Sequence, residues 1–161
     1  MPALRKLAKS LTESEIENLK FDCFEKVFLY GASLGKIKDI ELLKQKLNFF
    51  LPFIDNWSIC DMTVSSLKII SRHKDLLFDY FVNMFKSGKT YYMRFAIVVF
   101  LTYYRKREEI EKVLSLFPVE SNEYYVLMAV AWMNATYLIF EPELIMSRLN
   151  TNYISKFVIN K

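Results

Sequence analysis

Apolar side chains recur at helical spacing along almost the whole chain. Between residues 76 and 86 they fall at Leu76, Leu77, Tyr80, Phe81, Met84 and Phe85, a stripe on one helix face. Between 21 and 34 they fall at Phe21, Phe24, Val27, Phe28 and Leu34. Residues 93–101 are apolar nearly all round, Arg94 excepted, which predicts a helix set deep in the structure. The punctuation agrees. Thr12 and Glu15 have the spacing of a capping box ahead of Ile16. Asp55 stands where a cap is expected for a helix carrying Trp57, and Ser87-Gly88 closes the 76–86 stripe. Pro118 and Pro142 sit at or near helix starts, where proline is tolerated. No stretch shows sustained strand alternation bounded by hairpin turns. The pattern predicts an all-α fold.

The predicted helices come in pairs: 21–35 with 39–51, 56–70 with 74–86, 90–104 with 107–117, and 122–138 with 142–149. The first helices begin near 21, 56, 90 and 122, at intervals of 35, 34 and 32 residues. A steady interval of this size is the signature of a helical-hairpin solenoid. The sequence signatures of tetratricopeptide and ankyrin repeats are missing, and irregular pairs of this length are closer to HEAT repeats. The expectation is one HEAT-like domain over residues 1–161, an α–α superhelix of about four helix pairs plus terminal helices. In such a stack equivalent helices lie side by side, and one set lines a concave face.

Composition narrows the classes. With 161 residues, 53% of them hydrophobic, the chain is long and apolar enough for a sizeable core, which excludes intrinsic disorder. Three glycines and four prolines are few for the turns of a β-sandwich or barrel. Two cysteines, Cys23 and Cys60, exclude a disulfide scaffold, and with His73 as the single histidine a structural zinc site is not expected. The net charge of +4 permits nucleic acid as a partner without demanding it. Residues 124–140 form the longest apolar stretch, broken by Asn134 and Thr136. It falls short of the roughly 20 residues that span a bilayer and reads as a buried helix, with no membrane partner. The start of the chain has no charged leader followed by an apolar segment, and the cysteines suit a reducing compartment, so the cytosol is the expected location.

Three first helices each hold an odd polar or large aromatic residue. Trp57 and Asp61 are four apart and share one helix face. Arg94 is a single charge inside an apolar helix, and Trp132 lies in the fourth first helix. If these helices stack, a carboxylate, a guanidinium and two indoles converge on one concavity. Simpler readings stand beside this one. The tryptophans also suit the core, and Asp61 with Arg94 also suits a buried ion pair between repeats. Cys60 points to another face and reads as a small core residue, and His73 reads as surface. The run Arg105–Glu109 reads as a solvated turn and first helical turn. The tyrosine pairs at 91–92, 103–104 and 124–125 can stack on bases or pack between helices.

The segments "FLPFIDNWSICD", "YYMRFAIVVFLTYY" and "YYVLMAVAWMNATYLIFEPE" closely resemble the AlkD-like bacterial DNA alkylation repair proteins, a family of HEAT-like DNA glycosylases. The likeness runs from "PALRKLAK" to "FVINK", with the three segments in the family's order and spacing. Relatives are usually longer at both ends, so the chain is expected to be short against them, with "NK" standing where they continue into a basic helix. The resemblance implies hydrolysis of the N-glycosidic bond of cationic alkylpurines such as 3-methyladenine and 7-methylguanine. It implies Asp61, Trp57 and Trp132 as catalytic residues and Arg94 as a DNA-binding residue, to which the stacking reading of the tyrosine pairs adds Tyr91 and Tyr124. The implied partner is double-stranded DNA with alkylated bases, bound by a monomer in the bacterial cytosol or nucleoid without metal or organic cofactor. The implied mode leaves the base stacked, unlike glycosylases that draw it into a pocket.

Overall fold

In the computed structural model, residues 2–117 and 121–149 are described. Pro118 and the "FVINK" segment lie outside them. The described residues fold into helices α1 (Pro2–Ser10), α2 (Glu13–Glu17), α3 (Phe24–Ser33), α4 (Ile40–Phe50), α5 (Trp57–Ser66), α6 (Lys74–Phe85), α7 (Thr90–Tyr103), α8 (Arg107–Leu114), α9 (Tyr124–Phe140) and α10 (Pro142–Leu149). No strand occurs among them, and the protein is all-α. Helices occur at the places expected for all four pairs, and of those pairs α9 and α10 pack on one another. The chain divides into two compact units, Met1–His73 and Lys74–Lys161.

In the first unit α3 is the central helix, with α1 and α5 packed against it. Its sequence explains why. Val27, Phe28, Leu29, Tyr30 and Gly31 are all buried, so the helix is covered on more than one side. Phe21, Tyr30, Phe49, Phe50 and Phe53 form a ring cluster with centroids 4.6–6.0 Å apart, mostly edge-to-face or tilted. Two glycines let α5 come close. A Cβ on Gly31 would run into the Thr63 hydroxyl and the Phe50 ring, and one on Gly35 would lie 2.6 Å from the Ser66 carbonyl oxygen. The caps are local. Thr12 and Glu15 form the expected box, Glu15 accepting from Thr12 N at 2.7 Å.

One cap differs from the expectation. The N-cap of α5 is Asn56, whose Oδ1 accepts from Ile59 N at 3.0 Å. Asp55 instead accepts from Asn56 Nδ2 at 2.7 Å. A cap must sit immediately before the first helical residue so that its side chain reaches the N–H two or three positions on. The helix begins at Trp57, which gives that place to Asn56 and leaves Asp55 to orient its amide.

In the second unit α7 packs against α6 and α9, and α10 packs on α9. Every residue from Met93 to Leu101 is buried, as the all-round apolar run predicts. Gly88 takes a positive φ of 72° after α6, the backbone state that glycine enters at least cost. Two expectations are revised. Leu76 is 68% exposed, so the α6 stripe runs instead through Leu77, Phe78, Phe81, Val82, Met84 and Phe85. The α9 helix is not fully buried: Tyr124, Tyr125, Trp132, Ile139 and Phe140 are exposed while Val126, Ala129, Met133 and Tyr137 are covered. A helix apolar on all sides carries no sequence cue to which side faces water. Its two polar interruptions bond to the preceding turn, Asn134 Nδ2 to Val130 O and Thr136 Oγ1 to Trp132 O, both at 2.8 Å.

The turn from α7 into α8 is more than a solvated charge run. Glu109 Oε2 accepts from Arg105 N at 2.9 Å and Lys106 N at 3.0 Å, capping α8. Its Oε1 pairs with Lys74 Nζ at 2.8 Å, and both side chains are mostly covered. Tyr104 Oη donates to Lys74 O at 2.7 Å, so the starts of α6 and α8 and the end of α7 are fastened together. Burial works to raise the Glu109 pKa, but the Lys74 ammonium and the two backbone N–H groups outweigh it and hold the carboxyl below the ordinary carboxylate value.

Candidate functional site

Asn56 starts α5 so that Trp57 is its first residue and Asp61 stands one turn later on the same face. A first-turn residue has no preceding helical turn to cover it, and the Trp57 indole is 54% exposed. Trp57 and Asp61 line one cavity of about 520 Å³ with Pro2, Arg5, Phe28 and Met62, and with Ser58 and Ser65. The core reading of Trp57 is therefore overturned, while Cys60 is fully buried, as expected. Phe28 and Met62, both buried, form the apolar floor. The cavity thus combines an open indole, a carboxylate, a guanidinium and two hydroxyls.

Arg5 is the member of this cavity that the sequence did not single out. It lies mid-way along α1, and its Nη2 donates to Ser65 Oγ at 3.3 Å. Ser65 Oγ in turn donates to Met62 O at 2.7 Å, so its lone pair is turned toward the guanidinium. In the sequence Arg5 is one of several basic residues in an amphipathic first helix. Only the packing of α1 on α3 brings it beside α5.

The second unit carries the remaining candidates. Arg94 is 6% exposed, and its Nη1 donates to Tyr125 O at 2.8 Å, tying α7 to the first turn of α9. Tyr91, one turn before Arg94, packs against Tyr125 with ring centroids 5.8 Å apart. Tyr124 is 53% exposed and meets Tyr125 edge-on at 5.4 Å. Trp132 lies two turns beyond Tyr125 on α9 and is 45% exposed, so its core reading also fails. His73, expected at the surface, is half-buried and stands between the 3₁₀ turn and the first residue of α6. Among the described residues no three His, Cys, Asp or Glu side chains gather as a cation site. No helix among them is long and apolar enough to cross a membrane. Comparison with protein-family models, with curated proteins and with solved structures finds no match to this chain.

Proposed function

We propose that the protein is a DNA glycosylase that hydrolyses the N-glycosidic bond of cationic alkylated purines. One observation carries this reading: an open indole and a carboxylate one helical turn apart face the same cavity. Alkylation at purine N3 or N7 makes the base cationic and a good leaving group. Breaking its bond to the sugar leaves an oxocarbenium-like cation. A carboxylate fixed beside that sugar stabilises the transition state more than the ground state, which is the condition for catalysis. Unit charges about 4 Å apart at an effective dielectric near 20 attract by roughly 4 kcal/mol. Realised only in the transition state, that is worth about 10³ in rate. Asp61 is the carboxylate in this reading and also positions the attacking water. The indole of Trp57 favours the positive charge of the lesion-bearing nucleotide, and Trp132 is the second indole that this reading assigns to DNA. Arg94 is the guanidinium that this reading assigns to a DNA phosphate; it is 6% exposed and donates to the Tyr125 carbonyl, so that contact requires its side chain to be uncovered. Tyr91 and Tyr124 supply ring surface to the DNA backbone.

The test is base release from methylated duplex DNA, with free methylpurines identified by mass spectrometry and Asp61→Asn run alongside. Release is expected from the wild type and not from the variant. Unchanged release from a folded Asp61→Asn protein would remove Asp61 from the mechanism. A second reading, a protein-interaction module, is favoured by the apolar exposure on α9, where Ile139 is 79% and Phe140 44% exposed. It predicts no duplex binding at low salt, whereas a catalytically silent DNA-binding protein would bind and release no base.

A further inference from the structure

We propose that Arg5 is a phosphate ligand of the Trp57–Asp61 cavity, holding one phosphodiester of the DNA strand whose sugar faces Asp61. The inference rests on the DNA-binding reading and assigns α1 a part in it. Three observations carry it. First, Arg5 and Asp61 line the same cavity, placing a cation and an anion around one space of about 520 Å³. That volume admits a sugar-phosphate unit. Second, the guanidinium is aimed but not consumed. Its one hydrogen bond among the described residues runs from Nη2 to Ser65 Oγ, and it has no ion pair there. Its neighbours in the same unit are spent differently: Lys26 pairs with Asp22 and Lys46 with Glu17, at 2.8 and 3.0 Å. Third, the Ser65 hydroxyl is itself fixed by Met62 O, so it orients the fork of Arg5. A planar guanidinium held at one nitrogen keeps its other N–H groups for the paired oxygens of a phosphate.

The chemistry divides the cavity by charge. A phosphodiester is repelled by Asp61 and drawn to Arg5, while a sugar that becomes cationic is drawn to Asp61. One nucleotide satisfies both ends only with its phosphate at α1 and its sugar at α5. Arg5 is then a positioning residue, since it sets where along the strand the carboxylate acts.

The experiment measures the affinity of the full chain for a fluorescently labelled 20-base-pair duplex across a salt series. Wild type, Arg5→Gln, Arg5→Lys and Ser65→Ala are compared, with folding checked by circular dichroism. Each phosphate contact contributes about 0.9 to the slope of log K against log salt. Arg5→Gln is expected to lower that slope by about 0.9 and to weaken binding at low salt. Arg5→Lys is expected to keep the slope, because it keeps the charge. Ser65→Ala should keep the slope but lose affinity. A duplex with a single neutral methylphosphonate, moved along the strand, should show one position at which wild type weakens and Arg5→Gln does not. Duplex binding with an identical slope in Arg5→Gln overturns the assignment of Arg5 and leaves the DNA reading standing. A wild type that binds no duplex at low salt overturns both.

Discussion

Removing the Glu109 carboxylate tests how the second unit is fastened. Its Oε1 lies 2.8 Å and its Oε2 3.0 Å from Lys74 Nζ, and Oε2 also accepts two backbone N–H groups at the start of α8. Glu109→Ala leaves those donors to water and strands an ammonium that is 23% exposed. Gross attraction between charges about 3 Å apart at an effective dielectric near 20 is about 5 kcal/mol, most of it offset by desolvation. A hydrogen bond to a charged group nets about 1.5–3 kcal/mol and an N-cap about 1 kcal/mol. The two overlap in one carboxylate, so the expected loss is about 2–3 kcal/mol. For a chain of this length that lowers Tm by roughly 5–10 °C. Glu109→Gln keeps an acceptor for the cap and loses the ion pair, and should cost about half as much. Urea denaturation followed by circular dichroism, with Lys74→Met and the double variant completing a cycle, isolates the pair. Arg107→Met is the control, because its pairs with Glu111 and Glu141 are solvent-exposed on the arginine side and worth under about 1 kcal/mol. A Glu109→Ala variant within about 0.5 kcal/mol of wild type, or a cycle with no coupling, would refute the reasoning. The same carboxyl sets an acid limit. Because folding lowers its pKa, its contribution is present above the ordinary carboxylate value and is lost as pH falls through the folded value. Glu109→Gln should therefore flatten the acid limb of the stability–pH curve.

Three further outcomes are expected. Gly31→Ala forces a methyl group against Thr63 and Phe50 and should destabilise the first unit by about 1–3 kcal/mol in urea denaturation; an unchanged midpoint would show that α5 can move aside. Burial pushes the Tyr103 hydroxyl up to about 12, so stability is intact below pH 10 and falls as pH climbs from 10 through about 12, and Tyr103→Phe should shift that alkaline limb upward in a stability–pH titration. Trp57 and Trp132 are both about half exposed, so each single-tryptophan variant (Trp57→Phe or Trp132→Phe) should show red-shifted emission quenched by acrylamide, and a blue, unquenched signal would place the remaining indole in the core.

The helices were legible because the apolar stripes and the stops agreed, and α5 through α10 begin within two residues of the expected places. The residues flanking the site were less so. Choosing between Asp55 and Asn56 as cap depended on a one-residue boundary, since both types cap well. The exposure of Trp132 was hidden because α9 has apolar residues on most sides, so the side left open is decided by which helices pack there, whereas Trp57 shares its face with Asp61 on a helix that is half polar. Leu76 failed for a related reason: it stands in the first turn of α6, where a stripe outruns its partner. Arg5 left no signal, because its meaning comes from lying across from Ser65, sixty residues away.

The seam between α3 and α5 has a consequence for sequence drift. Gly31 leaves no room for a Cβ because the Thr63 side chain occupies that space, and the buried Thr63 hydroxyl has no hydrogen-bond partner among the described residues. Volume at 31 and volume at 63 are thus one shared quantity divided between two helices. A chain that gains a methyl group at 31 must shed the hydroxyl at 63. Positions 31 and 63 should therefore change together, and Thr63→Ala is the substitution that would relieve the worse of the two clashes of an alanine at 31, leaving the Phe50 ring to give by a few tenths of an ångström.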